Sequence, residues 1–174
     1  DVVPVGDGNL LLLTSSGLRV CDPRRGGTVL SVATDRPATL SVGRGPGGAL
    51  AYVVLRPGTE PSWRAGAPFG QQAAAFEIGT LDPAGRVLGT PRRFWNVKDA
   101  RAGAAGVFAL SPTGTLRRLG PTGLHDVGRR TPFARLLAVG SRTVWVADDR
   151  GALAAVDPRT GAVRFTLPLA VADV

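Results

Sequence analysis

The residues of this chain best equipped for chemistry are few and scattered. Asp148 and Asp149 are adjacent carboxylates, a pairing that can hold a hard cation or share acid and base roles. Asp22, Asp82 and Asp157 each precede a proline and recur along the chain like members of a carboxylate ring. Cys21 is the one cysteine and His125 the one histidine. Plainer readings account for each of them. Asp148-Asp149 stand in a turn where other copies of the same pattern carry Thr14-Ser15 and Ser111-Pro112, all ordinary turn residues. An Asp before Pro opens a turn by accepting a bond from the backbone two residues on, which needs no metal. Cys21 aligns with Leu119 and Val156 and reads as a small buried hydrophobe. His125 has no Cys or Ser partner at a recognised spacing. One thiol excludes a disulfide scaffold and a thiolate-only metal site, and one imidazole makes a multi-histidine centre or a Ser-His-Asp triad hard to build. No catalytic residue, metal ligand or cofactor is assigned, and the residues lean away from an enzyme.

One stretch is suited to contact. Residues 56–72 carry Trp63 and Phe69 together with Arg56 and Arg64, stiffened by Pro57, Pro61 and Pro68. Loops beyond about 12 to 15 residues in a compact domain usually serve function or are disordered. Trp, Arg and Phe on a stiff loop have the composition of a binding hot spot. The competing reading folds Trp63 and Phe69 back onto the adjacent sheet. Trp63, Arg64, Phe69 and Arg56 are the residues assigned to a partner. Phe94-Trp95-Asn96 forms a second aromatic cluster, read as core of the inner strand of a third unit.

The elements that must position these residues form a repeat. The chain has 174 residues, 44% of them hydrophobic, a net charge of +8, and 38 Gly or Pro residues spread evenly. That is the size of one domain, too apolar for general disorder and without an apolar run near the roughly 18 residues of a membrane span. Val144 to Pro158 overlays Val107 to Pro121 without a gap at a constant offset of 37 residues. Leu10 to Pro23 is a third copy, and Ala51–Leu55 with Ala75–Pro83 is a fourth, interrupted by the insertion. Each copy runs strand, polar turn, strand, then Asp-Pro or Gly-Pro. Gly17, Gly114 and Gly151 close the polar turn, where a positive φ costs glycine no Cβ clash. Val5-Gly6, Val42-Gly43 and Val139-Gly140 mark a preceding strand. Four strands per unit and four units follow, at approximately 1–36, 37–92, 93–131 and 132–174 within a single domain. A unit of about 37 to 40 residues with short strands and no helical periodicity has the spacing of a β-propeller blade. A β-sandwich is the competing fold, but it does not produce a constant offset.

The last unit, Val144-Trp145-Val146-Ala147-Asp148 through Val156-Asp157-Pro158-Arg159-Thr160-Gly161-Ala162-Val163, resembles bacterial repeats of the YVTN and virginiamycin B lyase-like propeller group. It is also similar to the pyrroloquinoline-quinone-type repeat, with Ala155, Asp157, Thr160 and Gly161 at that motif's spacing and Phe165 in place of its docking tryptophan. The likeness is clear over about 25 residues and weaker over the other units. It implies a bacterial sensor, scaffold or assembly module, extracytoplasmic or secreted, with a cytoplasmic setting as the alternative. The resemblance also raises a metal-dependent lyase or hydrolase as a second reading. Yet quinone members carry a ligand set with no match here, and lyase members need a histidine against a metal that His125 does not supply.

The absence of an initiator Met reads as a piece of a longer protein, with any signal peptide or anchor outside it. The basic residues are almost all Arg, Lys98 being the one lysine. They reflect either coding bias or attraction to an anionic ligand. The pairs Arg24-Arg25, Arg92-Arg93, Arg117-Arg118 and Arg129-Arg130 are dispersed without an aromatic ladder, which argues against nucleic acid. Three assemblies remain open: a four-bladed ring, four blades of a larger ring, or half of an eight-bladed ring completed by a second chain. Open blade edges favour a protein partner or self-association.

Overall fold

The computed structural model describes residues 2–4, 10–14, 17–24, 27–32, 39–56, 74–82, 87–128 and 132–168. Sixteen strands form four sheets, each an up-and-down meander of four antiparallel neighbours. The first sheet holds β1 (Val2–Pro4), β2 (Leu10–Thr14), β3 (Gly17–Asp22) and β4 (Gly27–Val32). The second holds β5 (Thr39–Arg44), β6 (Leu50–Arg56), β7 (Ala74–Leu81) and β8 (Val87–Val97). The third holds β9 (Asp99–Gly103), β10 (Gly106–Leu110), β11 (Leu116–Gly120) and β12 (Gly123–Asp126). The fourth holds β13 (Arg135–Val139), β14 (Val144–Ala147), β15 (Leu153–Val156) and β16 (Val163–Leu167).

The apolar residues explain the stacking. Every residue of β10 is buried, because its alternate side chains point to opposite faces and both faces are covered. Val107 and Ala109 join Ala51, Val53 and Leu55 in a cluster between the second and third sheets. Phe108 and Leu110 turn the other way, to Leu136, Val144 and Val146 of the fourth. Tyr52 and Val54 likewise face Leu11 of the first sheet. The core is thus three layers between successive sheets.

The first strand of each sheet packs on that of the next, from β1 to β5 to β9 to β13. Among the described residues no contact of comparable extent joins β13 to β1. The approach is very close: a Cβ on Gly43 would collide with the backbone of Gly103, and one on Gly103 with the backbone of Val139. Only glycine permits that spacing. Polar bonds stitch the same strands, with Ala102 N–H donating to Ser41 Oγ at 2.8 Å and Leu136 N–H to Asp99 Oδ2 at 2.8 Å. Arg101 Nε donates to the Leu136 carbonyl at 2.7 Å.

One expectation is corrected. Phe94, Trp95 and Asn96 belong to β8, the outermost strand of the second sheet, where Phe94 pairs with Phe76. They do not form an inner strand of the third sheet, which begins at Asp99, and the division at 92/93 falls inside β8. Pro91 is tolerated because an outermost strand has one unpaired side.

Candidate functional site

The topology gathers the short connections at two ends of the stack. At one end lie the turns between the first and second strands and between the third and fourth strands of each sheet. Asp22-Pro23, Gly120-Pro121 and Asp157-Pro158 sit there, as does Asp82. Asp157 Oδ1 accepts from Arg159 N–H at 2.8 Å and Thr160 N–H at 3.1 Å, and Gly161 follows at φ +69°. Asp22 Oδ1 accepts from Arg24 N–H at 2.9 Å. Asp82 follows the last residue of β7. The Asp157 carboxyl is held well below the usual carboxylate range, first by its short hydrogen bond with Arg164 and then by these backbone N–H groups.

The third sheet departs from the pattern. Gly120 stands where the other three sheets carry Asp, and the His125 ring covers it, so a Cβ there would lie 3.1 Å from the ring. His125 Nε2 bonds Thr122 Oγ1 at 3.0 Å. Beside Gly120 opens a cavity of about 600 Å³, built by turns of the second, third and fourth sheets. Arg44 and the Pro46–Gly48 turn come from the second sheet. Arg118 and His125 come from the third, and Ser141 and Arg159 from the fourth. Gly106 lies between the Arg118 side chain and the Arg44 carbonyl, at a φ of +126° that side chains rarely adopt. Arg118 Nη2 donates to the Ala105 carbonyl at 3.1 Å, and its guanidinium lies 5.9 Å from the centre of the Phe108 ring. No Asp or Glu is among the described residues lining this cavity. A smaller depression of about 210 Å³ adjoins it through Ser141, Pro158 and Arg159, and holds Asp157, Arg142 and Arg164.

The opposite end carries the turns between second and third strands. There Asp148 Oδ1 accepts from Arg150 N–H at 2.9 Å and Ala152 N–H at 2.8 Å. Ser111, 37 residues earlier, accepts through Oγ from Thr115 N–H at 3.0 Å. Gly114 and Gly151 both sit at φ +83° in these turns. Gly17 pairs with Thr14 across the β2–β3 hairpin. Asp148 and Asp149 therefore form a turn, and among the described residues no group of three or more His, Cys, Asp or Glu is placed to hold a metal. The connection from β6 to β7 leaves from this same end at Arg56 and returns at Ala74. Trp63, Arg64 and Phe69 lie outside the described residues, and for Arg56 the backbone alone is described. Cys21 is half-buried in β3, and His125 is exposed in β12.

Sequence reasoning missed two features. Asp99 bridges to the fourth sheet, and its burial pushes the carboxyl above its ordinary range against the pull of the Leu136 N–H and Arg101. The cavity itself was also missed, although the replacement of Asp by Gly120 was a signal for it.

No protein family model and no curated protein matches the chain. Solved structures do. BamB from Moraxella catarrhalis superposes with a TM-score of 0.54 at 18% identity, over 95% of this chain and 47% of that one. A protein from Bacteroides caccae gives 0.52 at 14% identity, over 95% and 59%. BBS1N, solved in complex with ARL6DN, gives 0.56 at 14% identity, over 98% and 53%. The chain spans about half the length of the structures it matches. The likeness, with four four-stranded antiparallel sheets in sequence order, shows the fold: these sheets are β-propeller blades.

Proposed function

We propose that residues 1–174 act as one non-enzymatic binding module, an extracytoplasmic sensor or assembly domain of a larger bacterial protein. One observation carries the reading. The second strands of the third and fourth sheets reach the third through five residues, 111–115 and 148–152, whereas β6 and β7 are separated by residues 57–73. The blade does not need that length, and the segment holds Trp63, Arg64 and Phe69. BBS1N, which shares the fold, was solved with a protein partner, which supports a propeller of this kind meeting another protein. The test is capture from an envelope extract of the source organism, with bound proteins identified by mass spectrometry. Trp63→Ala/Phe69→Ala is expected to lose the proteins that the unaltered chain retains, with its melting curve unchanged. Equal recovery would reject these residues as the contact.

A second reading, self-association, rests on the far face of the fourth sheet. Trp145, Phe165 and Leu167 lie there with, among the described residues, no sheet beyond them, Phe165 48% and Leu167 47% exposed. The first sheet ends the stack at the other side with Leu10 and Leu12 half-buried. A second copy would set one end face on the other and complete a ring of eight blades, in keeping with matched structures about twice as long. Light scattering after size exclusion is expected to give twice the chain mass of 17.9 kDa and the single mass for Phe165→Glu. A monomer at all concentrations rejects it.

A further inference from the structure

We propose that the cavity beside Gly120 binds an acidic peptide segment, a run of Asp or Glu side chains from a partner protein. This deepens the binding-module reading and names the chemistry of a second contact, at the end of the stack opposite the long connection. Three observations converge on it.

The first is uncompensated charge. Arg44, Arg118 and Arg159 line the cavity and Arg142 stands on the adjoining wall, and among the described residues no carboxylate pairs with any of them. Asp157, the nearby acid, is already engaged by Arg164 and two backbone N–H groups. A cluster of like charges costs stability unless something answers it.

The second is the removal of an acid by a break in the repeat. Asp22, Asp82 and Asp157 occupy the turn that Gly120 occupies in the third sheet. An Asp at 120 would place a carboxylate on the lip of the cavity and against His125. Its absence keeps that lip free of negative charge.

The third is geometry. The arginines come from three different sheets and surround a volume of about 600 Å³, which is the size of an ordinary ligand site. Charges distributed around a lip match carboxylates spaced along a chain better than one compact anion. Among the described residues no aromatic ring other than the His125 imidazole lines the cavity, which gives little of the stacking platform that single-stranded nucleic acid uses.

The test is fluorescence anisotropy with labelled hexaglutamate. Binding is expected to weaken steeply as salt rises. Arg44→Gln/Arg159→Gln is expected to weaken it by about tenfold or more, the scale of losing hydrogen bonds to charged groups. Arg92→Gln/Arg150→Gln removes the same charge away from the cavity and is expected to leave binding within about twofold. Gly120→Asp is expected to abolish binding while Gly120→Asn, similar in size, retains it. Four results would overturn the proposal: no binding of hexaglutamate, equal loss in both arginine pairs, equal loss in both Gly120 variants, or binding of tripolyphosphate alone. Each of these leaves the Trp63 and Phe69 capture test unaffected, so the two readings fail separately.

Discussion

The third and fourth blades carry the same pattern 37 residues apart and live in different surroundings. Phe108 and Trp145 are equivalent positions in β10 and β14. Phe108 is fully buried because the fourth sheet lies over it. Trp145 faces outward, meets Phe165 edge-on at 5.6 Å between ring centres, and stays half-exposed. The equivalents of Val107 and Ala109, Val144 and Val146, are fully buried in both cases. The repeat therefore dictates which side chains leave which face, and the neighbour dictates what each is worth.

Substitutions at the two positions test that statement directly. Phe108→Ala should cost about 3–5 kcal/mol in urea unfolding, because a large buried ring leaves a cavity between two sheets. Trp145→Ala should cost about 1 kcal/mol, the ordinary range for a partly exposed site. Equal losses would mean that the far face of the fourth sheet is covered in solution, and would favour the second copy. Gly103→Ala should cost about 1–3 kcal/mol by forcing β9 away from β13, measured in the same way. Gly47→Ala, where a Cβ would meet open space, should cost less, although its φ of +77° still strains a side chain.

The smallest effect concerns two carboxylates that answer acid in opposite directions. Asp99 has a folded pKa above its unfolded value, so the unfavourable contribution of its charge is relieved as pH falls through that raised value. Asp157 has a folded pKa below its unfolded value, so its contribution is present above the ordinary carboxylate range and is lost on acidification. Asp99→Asn should make acid unfolding steeper and Asp157→Asn shallower, read as melting temperature against pH. Parallel shifts would contradict the assignment.

How much of this was legible in the chain depended on burial. The constant offset exposed β10, β14 and β15 through their nearly unbroken apolar residues, and β11 through Leu116, Leu119 and the Gly-Pro that follows, with Arg117 and Arg118 between them. It could not expose β8, whose exposed positions and Pro91-Arg92-Arg93 carry no apolar alternation. Nor could it expose β9, Asp99-Ala100-Arg101-Ala102-Gly103, where close approach to two neighbouring strands selects small residues over large apolar ones. The cavity was hidden for a different reason. Arg44, Arg118 and Arg159 are far apart in sequence and line one cavity because the end of β5, the strand β11 and the β15–β16 turn of three blades open at the same end of the stack.

The three layers of core also govern how the molecule comes apart. Each sheet draws its tertiary support from the sheets beside it, so its resistance to local opening follows its number of neighbours. Among the described residues the third sheet has two, and the fourth has one. Within the fourth, every residue of β16 is exposed, and the strand is held chiefly by its ladder to β15. Amide exchange should therefore release β16 first and β10 last, an unzipping from the edge inward. Whatever docks on the far face of the fourth blade would slow exchange there before it changed anything at the centre.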